Sequence, residues 1–225
     1  MQAELDWQSE LLEQGFTRVP GILKKKQCEA LISNYDENIY RSTINMQRYN
    51  FGRGEYKYFA YPLPDLITSL RQSFYKSLLP VAKAWADRLK IAADFPKTHD
   101  DYIKHCHSNG QLRPTPLILK YKEGDYNTLH QDLYGNIHFP YQAAIMLSDP
   151  AGYAGGEFTL IEQRPRMQSV AHVQQLMQGE AIIFAVNEFP KLGKCGYYRA
   201  KLRHGVSVLR SGSRYTLGII LHDAR

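Results

Sequence analysis

Residues 117–132 read LILKYKEGDYNTLHQD, an apolar run, a turn and a second extended run that ends by delivering His130 and Asp132. Residues i and i+2 of a strand point to one face, so these two side chains reach one ion while Gln131 turns away. An HxD pair alone is a weak signal. A second element, LRHGVSVLRSGSRYTLGII at 202–220, adds His204 and, ten residues later, Arg214 on what reads as the next strand. Two imidazoles and one carboxylate suit a borderline metal that keeps open coordination positions. Guanidinium is always charged and its planar fork matches a carboxylate, so an arginine deep beside that metal calls for an anionic co-substrate. Singly, each of the four has an ordinary reading: a rim histidine, a turn carboxylate, a core histidine and a salt-bridge arginine. Together, their order and spacing match one mechanism.

The runs CHSNGQLRPTPLILKY, GDYNTLHQDLYG, GGEFTLIEQRPRMQS and RHGVSVLRSGSRYTLGIILHDA, within 106–224, resemble the 2-oxoglutarate/Fe(II) dioxygenase superfamily. Within it they look like a bacterial family described as oxygenases for oxidative demethylation of damaged DNA, and the resemblance extends from about residue 51 to residue 224. It implies Fe(II) held by His130, Asp132 and His204, with 2-oxoglutarate and O2 as co-substrates and ascorbate in support. Arg214 would receive the far carboxylate, and Tyr121, nine residues before His130, stands where prolyl-hydroxylase-like members carry a tyrosine that helps hold it. The implied reaction hydroxylates a C–H bond; on an N-methyl group the product collapses to formaldehyde and free amine. A base must be unpaired or flipped to reach such a site, and Tyr134, Phe139, Tyr141 and Arg164 are the candidate substrate contacts. A protein or small-metabolite hydroxylase of the same superfamily is the alternative, and a non-catalytic sensor of 2-oxoglutarate or metal is the alternative from another class.

The chain has 225 residues, 44% of them hydrophobic, compatible with one domain and a substantial core. Residues 1–110 read as mainly helical support and 111–225 as the catalytic core. Cys28, Cys106 and Cys195 form no CxxC and leave an odd thiol under any pairing, which fits a reducing compartment. With no leader-like start and no apolar stretch long enough to span a bilayer, a cytoplasmic location without membrane attachment is the expectation. The net charge of +6 and pI of 9.1 mildly favour an anionic partner such as nucleic acid. Between Lys191 and Arg214 lie seven basic residues and no acidic one. An exposed strand face and a phosphate-tracking surface both account for them.

In chain order, the patterns predict a helix over 3–14 ended by Gly15, a strand over 16–19, and an amphipathic helix over 24–38. Residues 41–61 are aromatic and basic without clear period, and read as an ordered loop or irregular strands, either stacking bases or packing over a barrel mouth. Residues 64–90 carry an apolar stripe at helical spacing, kinked or divided by Pro80. His99, His105 and His107 read as helix-end histidines, since no Cys/His pair at finger-like spacing accompanies Cys106. From 115 onward, short apolar runs at 115–122, 128–132, 137–147, 157–162, 180–186, 197–210 and 214–222 predict an α+β fold: a double-stranded β-helix (jelly roll) with supporting N-terminal helices.

Overall fold

The structure is a computed structural model describing residues 2–225, with side chains described from Trp7 onward. Helix α1 (Gln2–Gln14) ends at Gly15, whose φ of +82° only glycine adopts freely, and strand β1 (Phe16–Val19) follows. Helix α2 (Lys25–Ser33) is shorter than its sequence pattern: it tightens into a 3-10 turn at Asn34–Asp36 that buries Tyr35. The aromatic-basic segment folds as strands β2 (Tyr40–Asn45), β3 (Gly52–Arg53) and β4 (Glu55–Phe59), with a 3-10 turn at Met46–Tyr49. The region expected to be support therefore also supplies strands to both sheets.

Helix α3 (Asp65–Leu89) runs unbroken through Pro80. Proline removes one helical donor, but Pro80 and Lys76, whose carbonyl loses that partner, are both exposed to water, and the neighbouring Ser77 carbonyl accepts from Gln8 Nε2 at 2.9 Å. The opposite stripe, Leu70, Phe74, Leu78, Val81, Trp85 and Leu89, is buried. Each large apolar side chain there contributes about 1.5–3 kcal/mol. Helix α4 (His99–Ser108) starts at a Thr98 cap and carries the three histidines at its two ends.

The remaining chain is β5 (Leu117–Lys122), β6 (Tyr126–His130), β7 (Tyr141–Met146), β8 (Tyr153–Gly155), β9 (Phe158–Gln163), β10 (Val170–Gln174), β11 (Ala181–Ala185), β12 (Glu188–Gly193), β13 (Gly196–Val206) and β14 (Leu209–Ile219). The larger sheet has the order β1-β11-β7-β14-β5-β4-β2, with β8 beside β14; the smaller has β10-β9-β13-β6-β3, with β12 beside β13. Every pairing is antiparallel. Two antiparallel sheets, with α1 and α3 packed against strands of both, form the expected jelly roll with helical support.

Cross-strand register assigns the faces of the larger sheet. Ala143, Ile145, Ile183, Leu217 and Ile219 fall on one face and join the α3 stripe in a single core cluster. Their neighbours Gln142, Ala144, Phe184, Thr216 and Gly218 turn to the other face and line a cavity between the sheets. The break before β14 falls at Ser207–Val208, not at the Ser-Gly-Ser of 211–213, because Gly212 is taken into the strand with φ +78°.

Candidate metal centre and anion pocket

A cavity of about 210 Å³ lies between the sheets, and all five residues expected at the metal and co-substrate line it: His130, Asp132, His204, Arg214 and Tyr121. His130 is the last residue of β6, while Asp132 lies just beyond the strand, so the pair straddles a strand end. β6 pairs with β13 with His130 opposite His204, and the two imidazole centroids are 4.2 Å apart. One nitrogen or carboxylate oxygen from each of His130, Asp132 and His204 lies within 4.8 Å of the others. Nε2 of His130 is 3.5 Å from Asp132 Oδ1, and Nε2 of His204 is 3.2 Å from Asp132 Oδ2.

The surroundings fix these groups in ligand-like states. His130 Nδ1 is 2.7 Å from the Thr128 carbonyl, which only accepts, so Nδ1 is the donor there and the neutral tautomer has its lone pair on Nε2, towards Asp132. The Tyr134 hydroxyl donates to Asp132 Oδ1 at 2.7 Å and Gln142 Nε2 donates to Oδ2 at 2.8 Å. Burial alone would raise the Asp132 carboxyl, but the His204 and His130 imidazoles and the Tyr134 hydroxyl outweigh it and hold it far below the usual carboxylate range. Burial, with His130 adding to it, pulls His204 below its ordinary value and favours the neutral imidazole a metal requires. His204 Nδ1 is buried without a hydrogen-bond partner among the described residues.

Arg214 sits opposite Tyr121 in the β14–β5 register and is completely buried. None of its three guanidinium nitrogens meets a partner at standard hydrogen-bond distance and angle among the described residues, although the Tyr153 hydroxyl stands close enough to support the charge. Its charged centre lies 5.5 Å from the Tyr121 ring centroid. Gly156 leaves room for it: a Cβ there would stand 3.0 Å from Arg214 Cδ, and the φ of +65° is one side chains avoid. Burial pulls this guanidinium below its usual range, and it pushes the Tyr121 hydroxyl up to about 12 against the pull of Arg214. Tyr121 Oη, Thr216 Oγ1 and Gln142 Oε1 are also buried, unpaired and cavity-lining. An unpaired buried charge is among the costliest features a fold can carry, so this cluster fits a cavity completed by a small anion with several oxygen atoms.

The four candidate substrate residues divide. Tyr134 lines the cavity, but its hydroxyl is spent on Asp132 and accepts from Tyr58 at 3.2 Å, so it orients the carboxylate. Phe139 packs among Tyr75, Phe95 and Tyr102, and Tyr141, opposite Ala185, falls on the helix-facing side of β7; both are fully buried outside the cavity. Arg164 folds back onto buried Glu162 at 2.5 Å, where Lys191 and His172 also bind, and does not reach the cavity. Gln142 was missed; its signal was a lone amide inside the buried run YQAAIM. Phe51, Tyr56 and Tyr58, from the segment with no clear period, also line the cavity.

Most of the basic 191–214 stretch is accounted for locally. Lys191, Arg199 and Arg210 pair with Glu162, Glu188 and Glu157, and Arg214 is buried. No disulfide joins the three cysteines, and no helix among the described residues is long and apolar enough to cross a membrane.

A family model described as "Oxygenase, catalysing oxidative methylation of damaged DNA" matches residues 54–224. An uncharacterized Mycobacterium tuberculosis protein, matched in two strains, is 47% identical over 167 residues, 74% of this chain and 72% of the relative. Among solved structures, a Pseudomonas putida prolyl-4-hydroxylase superposes with TM-score 0.61 at 12% identity, covering 99% of both chains. A 2OG-Fe(II) oxygenase family oxidoreductase from Burkholderia pseudomallei gives 0.54 at 15% identity, over 98% of this chain and 92% of that one. A Trichoplax adhaerens prolyl hydroxylase in complex with a hypoxia inducible factor peptide fragment gives 0.57 at 12% identity, over 96% and 87%. At these identities the likeness is one of fold.

Proposed function

The chain belongs to this oxygenase family, and from that premise we propose that it is an Fe(II)- and 2-oxoglutarate-dependent dioxygenase that removes N-methyl groups from damaged nucleic acid by hydroxylating them. The observation that supports the co-substrate half of this reading is Arg214, a buried guanidinium with no carboxylate partner among the described residues, in the same cavity as a His-Asp-His cluster. His130, Asp132 and His204 are the facial donor set of such enzymes, and Arg214, with the Tyr121 and Thr216 hydroxyls, is the counterpart of the far carboxylate of 2-oxoglutarate. Bound Fe(II), with 2-oxoglutarate and O2, supplies the oxidising power for the C–H bond and leaves succinate and CO2 as coproducts.

The chain's own residues position and shelter that chemistry. Tyr134 and Gln142 hold both oxygens of Asp132, and the Thr128 carbonyl fixes the His130 tautomer. Phe158, Phe184, Leu119 and Val206 form apolar walls that exclude water. The nucleic-acid substrate is supported by the description of the family and the net charge of +6.

Purified protein with Fe(II), ascorbate and 2-oxoglutarate is expected to form succinate, and His130→Ala to form none. Mass spectrometry of N-methylated oligonucleotides then reports methyl loss and formaldehyde release. Wild-type protein that forms no succinate would sink the oxygenase reading. Succinate formation without methyl loss from single- or double-stranded DNA or RNA would sink the nucleic-acid reading alone.

A further inference from the structure

Among the described residues a handful of aromatic side chains are exposed, and the two most exposed lie side by side, one of them on the cavity. Tyr49 and Phe51 are 55% and 47% exposed, and their rings stack on each other with centroids 5.7 Å apart and planes 19° from parallel. Phe51 also lines the cavity that holds His130 and His204. Resting on the nucleic-acid reading above, we infer that Tyr49 and Phe51 form a stacking platform for an unpaired, N-methylated base at the cavity mouth.

The platform is built rather than loose. Met46 O accepts from Phe51 N at 3.1 Å, and Asn50 turns the chain with φ +60°. Gly52 lies so close to β6 that a Cβ would stand 2.4 Å from Tyr126 O. Phe51 O accepts from Thr128 N at 3.0 Å, and Thr128 O in turn accepts from His130 Nδ1. One residue therefore ties both the platform and a candidate metal-binding imidazole to the same strand. With the backbone that carries the rings anchored and the rings already stacked on each other, a flat partner has less conformational freedom to freeze when it stacks on them.

The chemistry around the pair matches a nucleotide. Arg48 and Lys122 are exposed and have no ion-pair partner among the described residues, so positive charge is free for backbone phosphates. On the same turn as Lys122, Glu123 is an exposed carboxylate that offsets part of this charge, while Asp125 is engaged by Arg53 at 3.5 Å. Tyr56 and Tyr58 continue the aromatic wall inward towards Tyr134 and Asp132. A base that gains positive charge on alkylation is attracted to such ring faces as well as stacked by them.

The test uses Fe(II)-loaded protein with 2-oxoglutarate under anaerobic conditions, titrated by fluorescence anisotropy with single-stranded DNA carrying one N-methylated base or an abasic site at the same position. Wild type is expected to prefer the methylated strand on the order of ten-fold, within the range one stacked base supplies. Phe51→Ala is expected to lose that preference and Phe51→Trp to keep it, with Tyr49→Ala intermediate and all variants melting as wild type does. In aerobic turnover, Phe51→Ala should raise KM for the oligonucleotide more than it lowers kcat. Equal affinity of wild type for the two strands, or a preference that survives in both alanine variants, overturns the platform; demethylation by the same wild-type protein would leave the substrate reading standing. Wild type that makes succinate but demethylates no strand overturns the substrate reading, and the platform with it.

Discussion

Two arginines lie in the interior of this molecule, and they are opposites. Arg71 on α3 is paired with Asp223 at 2.9 Å, donates to the Ile220 carbonyl at 3.1 Å, and meets the Tyr61 hydroxyl at 3.4 Å. Asp223 is itself completed by Tyr61 and His107 at 2.7 and 2.9 Å. Arg214 is equally buried, pairs with no carboxylate among the described residues, and has only the Tyr121 and Tyr153 hydroxyls and the more distant Glu157 to support its charge. The first charge is satisfied by the protein and holds α3, α4 and the C-terminal segment together. The second is a largely uncompensated cost to the fold, and that cost is what supports Arg214 as the proposed carboxylate-binding group. Burial alone does not separate structural from functional arginines; the partner census does.

Breaking the satisfied pair has the largest expected effect. Asp223→Ala leaves Arg71 buried and uncompensated, and should destabilise the protein by about 3–5 kcal/mol in denaturant titration. Arg214→Leu should leave stability in the absence of ligand unchanged or slightly higher, because it removes an unpaired charge; a loss as large as that of Asp223→Ala would erase the contrast. Ligand response sharpens it next. With Fe(II) present and 2-oxoglutarate at about a hundred times its Kd, wild type should gain about 2.7 kcal/mol, read as a rise in Tm that Arg214→Leu lacks. Tyr134→Phe removes one of the two donors that hold Asp132, and should weaken metal binding about 10- to 100-fold, measured by competition with a chelator.

The smallest effect is in the pH profile of the Arg71 side. Burial, reinforced by Arg71, lowers His99 to about 4, while its imidazole faces the Leu221 carbonyl. The folded value lies below the unfolded one, so the unfolded chain takes up the proton first. Stability from this group is fully present above about pH 6.5 and falls as the pH drops towards 4. Between about pH 6.5 and 5.5 the loss should be about 1 kcal/mol, and His99→Gln should flatten that part of the curve. An unchanged slope would remove His99 from the account.

The same distinction explains what the sequence disclosed. The residues that line the centre were readable because metal and carboxylate chemistry admits few side-chain types, and strand period then assigns their face. The strands flanking them were less readable. β12 contains Pro190, which argues against a strand, yet the structure tolerates it because β12 pairs with β13 alone and its other edge is free. β10 shows no clean alternation of buried and exposed residues, and β8 is three residues long. The hairpin of β2 and β4 was harder to read because its alternation is short: Glu55-Tyr56-Lys57-Tyr58 alternates in β4, with both tyrosines on the cavity, but the paired β2, YRSTIN, carries no matching contrast. Tyr141 lies away from the cavity for a related reason: composition cannot say which side of a fully buried strand an aromatic occupies, and register can.

Thr128 offers one more lesson, through its two backbone hydrogen bonds, to Phe51 on one side and to His130 on the other. The outer turn and the His130 imidazole thus share one residue as their anchor. With the proposed base and metal sites, a base docking at the turn should alter metal affinity through Thr128, and metal titrations with and without oligonucleotide would read that linkage.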